Sequence, residues 1–176
     1  MVDRDNVTKT AQDKLGALEN KLEKATGAMP KLSDANNTLL AKALPWAAGA
    51  WGVLSLIWAK DLWDGVRAYS VGTAEVSAFF NALASTLLPS KTNMWIGLVL
   101  FALVAVFIGF AFARGAIKST RASWKFLFYA FLVSVIAGLF WIFMLGRVGS
   151  GHGWTSLAVG LAGLYSLFQV KSRFNS

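Results

Sequence analysis

Two runs without a charged residue limit what this chain can become more than any other feature. Residues 92–113 read TNMWIGLVLFALVAVFIGFAFA, 22 in a row, and residues 126–146 read FLFYAFLVSVIAGLFWIFMLG, 21 in a row. At about 1.5 Å per residue, either helix crosses a hydrocarbon core of about 30 Å. The first run holds twelve Leu, Ile, Val and Phe residues and the second thirteen. At about −0.3 to −0.6 kcal/mol each near the bilayer centre, they give either run roughly −4 to −8 kcal/mol toward insertion. Both are expected to span a membrane.

Weaker runs flank them. Residues 43–59, between Lys42 and Lys60, contain Pro45, Gly49, Gly52 and only five Leu, Ile or Val. Residues 154–170 are equally short. Tryptophan nevertheless marks both, with Trp46, Trp51 and Trp58 on the first and Trp154 opening the last. Trp95 and Trp124 stand at the starts of the two strong runs, and tryptophan at the ends of apolar segments is the mark of an interfacial belt. The expected fold is an all-α integral membrane protein with four spans, at about 43–60, 93–113, 124–146 and 154–170. Pro45 removes a backbone donor and is expected to bend the chain as it enters the membrane.

Basic residues set the expected orientation. With the amino terminus inside, thirteen Lys and Arg lie on the inner side and four (Lys60, Arg67, Lys91, Arg147) on the outer. The short second loop counts most, because short loops follow the positive-inside bias best. Its Arg114, Lys118, Arg121 and Lys125 are expected to meet anionic lipid at the inner leaflet. No acid follows Glu75. Both termini are thus expected in the cytoplasm, and lipid accounts for the +8 net charge without nucleic acid. The first 40 residues are polar, contain six acids and show neither a signal-peptide core nor the acid-poor pattern of a transit peptide. A bacterial inner membrane is the expected location.

Residues 1–32 form a separate amino-terminal segment ahead of the membrane domain at 33–176. Ala11, Leu15, Leu18, Leu22, Ala25 and Met29 are spaced 4, 3, 4, 3, 4, an apolar stripe at the period of a coiled-coil seam. Asn6 or Thr8 can cap the helix, and Gly27 with Pro30 ends it. The stripe suits docking on a partner through Leu15, Leu18, Leu22 and Met29; lying on the membrane surface and remaining poorly ordered are the competing readings. Ser33 and Asp34 open the next helix.

Between the first two spans lies a long outer loop, 61–90. Within it VSAFFNALASTLL, residues 76–88, is too short to span. Ser77, Asn81 and Ser85 make a narrow polar face, as in a helix lying at the outer interface or covered by protein. Its expected role is interfacial packing, with quinone, lipid or protein binding as the alternative.

The four spans contain no Asp, Glu, Lys, Arg or His, whereas proton relays, coupled carriers and charged-substrate transporters normally need such a group near the midplane. No catalytic constellation, phosphate loop or cofactor motif is visible. The absence of cysteine excludes disulfide and thiol chemistry. His152, in the outer turn before the last span, reads as a loop residue rather than a ligand. Ala105, Gly109 and Ala113 on the second span, and Ala158, Ala162 and Ser166 on the fourth, form small-residue stripes suited to helix packing, within the bundle first and against another subunit second. The expected function is a non-catalytic accessory subunit of a larger membrane complex, respiratory or secretory. The alternative is a homo-oligomeric pore or small carrier, including a phage-type lysis pore, for which Ser134, Thr155 and Ser156 are a thin polar supply.

Overall fold

A computed structural model describes residues 4–28, 30–71, 91–145 and 150–174. Five α-helices account for nearly all of them, with no strand among the described residues: α1 (Arg4–Gly27), α2 (Asp34–Val71), α3 (Lys91–Ala113), α4 (Arg121–Leu145) and α5 (Ser150–Gln169). Short 3₁₀ turns follow α3 at Ala116–Lys118 and α5 at Lys171–Phe174.

Helices α2 to α5 run up and down beside one another. Gly52 meets Ile108 while Gly65 meets Met94, so α2 and α3 are antiparallel. Gly97 meets Trp141, and the Phe110 and Phe126 rings stack, which runs α3 against α4. Gly138 meets Leu157 and Gly163 meets Phe131, which does the same for α4 and α5. The buried face of α3 is Met94, Gly97, Phe101, Val104, Ile108 and Ala111, at alternating intervals of three and four. That is the spacing of a seam between near-parallel helices. Because α4 packs on both α3 and α5, it buries residues around much of its circumference, from Trp124 to Trp141.

Three helices are long and apolar enough to cross a membrane: those containing Asp34–Arg67, Thr92–Ala113 and Arg121–Met144. Helix α5 falls short of that standard, because Gly, Ser, Thr, His and Gln dilute its 20 residues. Its length of about 30 Å nevertheless matches the hydrocarbon thickness.

Several boundaries differ from the sequence reading. Helix α1 starts at Arg4, ahead of both expected caps, and stops at Gly27 as its glycine signal indicates. Helix α2 continues through Val71, so residues 61–71 of the expected outer loop are helical. Lys60 pairs with Asp64, and the Arg67 guanidinium lies over the Trp63 ring, both at i, i+4. Such i, i+4 pairs support an exposed helix. The stretch 76–88 and its Ser77, Asn81 and Ser85 face lie outside the described residues. His152 belongs to the first turns of α5, not to a turn before it, and its ring contacts Trp58 edge-on at 4.5 Å. Nor do all the tryptophans form a belt. Trp46, Trp95 and Trp154 are exposed, but Trp51 and Trp124 are buried in the bundle. Residue 46 falls on a different side of the helix from residues 51 and 58, which lie seven apart on one face, with their rings in edge contact at 5.4 Å.

Candidate functional site

At the end of the bundle where α4 begins, the chain brings Glu19, Glu23, Arg121, Lys125 and Lys171 together. The connection from α3 turns sharply here. Gly115 and Ser119 both adopt positive φ, 85° and 54°, a conformation that costs glycine little and other residues more. Thr120 then starts α4, its hydroxyl donating to the Arg114 carbonyl and accepting from the Ser123 amide. This local geometry fixes where Arg121 and Lys125 emerge, one helical turn apart on one face of α4.

Helix α1 folds back onto the same end. Tyr165 and Gln169 of α5 donate hydrogen bonds to the Pro30 carbonyl, at 2.7 and 3.4 Å, and Gln169 accepts one from the Leu32 amide. Leu22 packs against the apolar cluster around Trp124, Leu127 and Leu167. Just past α5, Lys171 donates to Glu19 at 3.1 Å and to Glu23 at 2.7 Å. Its ammonium also lies 5.1 Å from the Trp124 ring centroid and 5.9 Å from that of Phe168. Partial burial works against the lysine charge, but Glu23 and Glu19 outweigh it, so the Lys171 pKa stands above the ordinary 10.5. The ring faces add cation–π attraction.

Beside this cluster is a cavity of about 400 Å³ lined by Glu19, Arg121, Trp124, Lys125, Lys171 and Phe174. A second, of about 390 Å³, lies under the turn between α1 and α2 and is lined by residues including Lys31, Asp34, Asn37 and Gln169. The first holds three cations against one carboxylate, and that carboxylate is already bonded to Lys171. Arg121 and Lys125 are exposed.

The predicted residues divide accordingly. Arg114, Lys118, Arg121 and Lys125 share this end and are all exposed, but only Arg121 and Lys125 line the cavity. Leu15 and Leu22 are half-buried and Leu18 is 37% exposed, so the stripe of α1 lies partly against its own chain. Met29 lies outside the described residues. The small-residue stripes turn away from the places where helices approach most closely. Gly109, Ala113, Ala158 and Ala162 are exposed, with Ala105 and Ser166 half-buried. A Cβ on Gly109 would meet nothing within 4 Å, whereas one on Gly138 would lie 2.5 Å from the Leu157 amide nitrogen. Helices α4 and α5 therefore approach each other through Gly138, Gly153, Gly160 and Gly163. Glycine admits backbone contact that alanine cannot.

Sequence reasoning passed over Lys171, Glu19, Glu23, Tyr165 and Gln169 as a group. The 19/23 spacing on a polar helix face was the available signal. It also missed a polar network inside the bundle. Trp51 donates its indole N–H to Ser134 Oγ at 2.9 Å, and Ser134 donates to the Ala130 carbonyl at 3.0 Å. Ser156 donates to the Ser134 carbonyl and Ser55 to that of Trp51, both at 2.9 Å. All four side chains are buried. These bonds join α2, α4 and α5, and they commit the hydroxyls to structure.

Comparisons with protein-family models, with curated proteins and with solved structures find no match to this chain.

Proposed function

We propose that this chain is a non-catalytic accessory subunit of a larger membrane assembly, of the respiratory-chain or secretion type. It crosses a bacterial inner membrane four times with both termini in the cytoplasm. The observation that carries the reading is the outward exposure of Gly109 and Ala113 on α3 and of Ala158 and Ala162 on α5. Acyl chains gain nothing from a small-residue surface, but another helix gains close van der Waals approach. The marginal hydropathy of α5 supports the same reading, since a weak span benefits from protein neighbours. The charge asymmetry between the inner and outer segments supports the orientation.

A homo-oligomeric pore has less to draw on. Ser134 and Ser156 are buried and bonded within the bundle, and exposed Thr155 donates to the Gly151 carbonyl of its own helix.

The test is extraction from native membranes in mild detergent, then native-gel separation and mass spectrometry of co-migrating chains. Wild type should co-migrate with larger subunits. The double variant Gly109→Leu, Ala162→Leu should remain in the membrane yet lose them, because neither side chain is packed inside the chain. Co-migration of the variant with the same partners would overturn the role of these faces. Migration of wild type as a small homo-oligomer would overturn the accessory reading and favour the pore.

A further inference from the structure

We propose that the cavity between α1 and the start of α4 is a binding site for the phosphate of an anionic phospholipid, with Arg121 and Lys125 as its cationic ligands and Lys171, held by Glu19 and Glu23, in its wall. This goes beyond the accessory reading and stands independently of it.

Three observations converge. The first is the cavity itself, about 400 Å³, with three cations, Trp124, Phe174 and one carboxylate in its wall. Glu19 and Glu23 both bond Lys171, which leaves Arg121 and Lys125 with no ion pair among the described residues. Arg121 offers the planar fork that suits phosphate oxygens, and Lys125 a point charge one turn away. The second is position. Arg121 and Lys125 immediately precede the charge-free run that begins at Phe126, so the cavity lies at headgroup depth when α4 spans the bilayer. Basic pockets at such a level bind anionic headgroups.

The third observation selects a lipid over a free phosphate. Arg121 and Lys125 continue along α4 into Tyr129, Leu132, Ile136, Leu139 and Phe143, at intervals of 4, 3, 4, 3 and 4. Tyr129 and Leu132 are half-buried, Ile136 and Leu139 are 48% and 41% exposed, and Phe143 is 78% exposed. One helix face thus carries two cations at its end and an open apolar track below them. That is the pattern of one phospholipid: headgroup above, acyl chain alongside.

The full-length chain, purified into phosphatidylcholine nanodiscs, would be titrated with phosphatidylglycerol, and bound lipid counted by native mass spectrometry. Wild type should retain phosphatidylglycerol over phosphatidylcholine. Arg121→Gln with Lys125→Gln should weaken that retention roughly a hundredfold, at about a factor of ten for each direct charge-assisted bond to phosphate that is lost. Both side chains are exposed, so the variant should keep its helical circular dichroism. Arg114→Gln with Lys118→Gln removes the same charge at the same end without touching the cavity, and should weaken retention far less. Equal loss in the two double variants would overturn the site in favour of diffuse attraction. Equal retention of phosphatidylglycerol and phosphatidylcholine by wild type would overturn it outright. Displacement of the lipid by millimolar glycerol phosphate would reassign the site to a soluble phosphate ester and overturn the lipid assignment.

Discussion

Gly138 and Gly109 are the same residue in similar apolar surroundings, yet the fold asks opposite things of them. A methyl at 138 collides with the backbone of α5, while one at 109 meets empty space. Gly138→Ala should therefore cost about 1–3 kcal/mol, the range for overpacking a tight contact. Gly109→Ala should be neutral or slightly stabilising, by at most about 1 kcal/mol of helix propensity. Thermal unfolding of the two variants in the same detergent checks the contrast; equal effects would refute the interlocked contact. The sequence does not distinguish these glycines, since which one faces a neighbour depends on helix rotation, and a run apolar on all sides carries no rotational signal. Trp51 posed the same difficulty. Its indole reads as an interfacial anchor until Ser134 is found 2.9 Å away. A double-mutant cycle on Trp51→Phe and Ser134→Ala should return a coupling of roughly 0.6 kcal/mol, and no more than about 1.7, as for hydrogen bonds between membrane helices. A coupling of zero would remove that bond from the account.

At the scale of elements, α1 is the least self-sufficient. Its stripe was legible from spacing, but its resting place was not, because an amphipathic face does not name what covers it. Lys171 supplies the answer through Glu19 and Glu23. These pairs are partly exposed, so each is worth only about 0.2–1 kcal/mol. Lys171→Gln should nonetheless loosen α1, because a lone helix of 24 residues with little apolar surface is marginal in water. Limited trypsin digestion at Lys21 and Lys24 should then be faster than in wild type, with the bundle intact; an unchanged rate would refute the tether. The pH dependence has a definite sign. A lysine whose folded pKa is raised gives its full stabilisation below 10.5 and loses it as pH rises through the higher folded value. Strongly alkaline buffer should thus release α1 in wild type as the variant does, read as increased mobility of a spin label at Asn20→Cys. The overrun of α2 to Val71 was hidden for a related reason. Lys60, Asp61, Asp64 and Arg67 look like loop residues by charge, and only the i, i+4 pairs Lys60–Asp64 and Trp63–Arg67 mark the stretch as exposed helix.

For the whole molecule, the two central spans were plain from length without charge, and the terminal ones were not. Helix α5 carries enough glycine and hydroxyl to fall short on hydropathy, yet it fits α4 closely. Because the chain has no cysteine, single substitutions give a clean topology test. On the proposed topology of four crossings with both termini cytoplasmic, Asn6→Cys and Ser172→Cys should react with a membrane-impermeant maleimide only after spheroplasts are lysed. Labelling of one before lysis and the other only after would mean an odd number of crossings. The fit of α5 to α4 also gives the nascent chain an order of events. Helices α3 and α4 are apolar enough to enter lipid as each is synthesised. Helix α5 is not, and the groups that make it acceptable, the Ser134 carbonyl for its Ser156 and a groove for its glycines, exist only once α4 is in place. On the proposed four-crossing topology, the last helix enters the bilayer as a passenger on its predecessor, and damage to α4 should leave α5 outside.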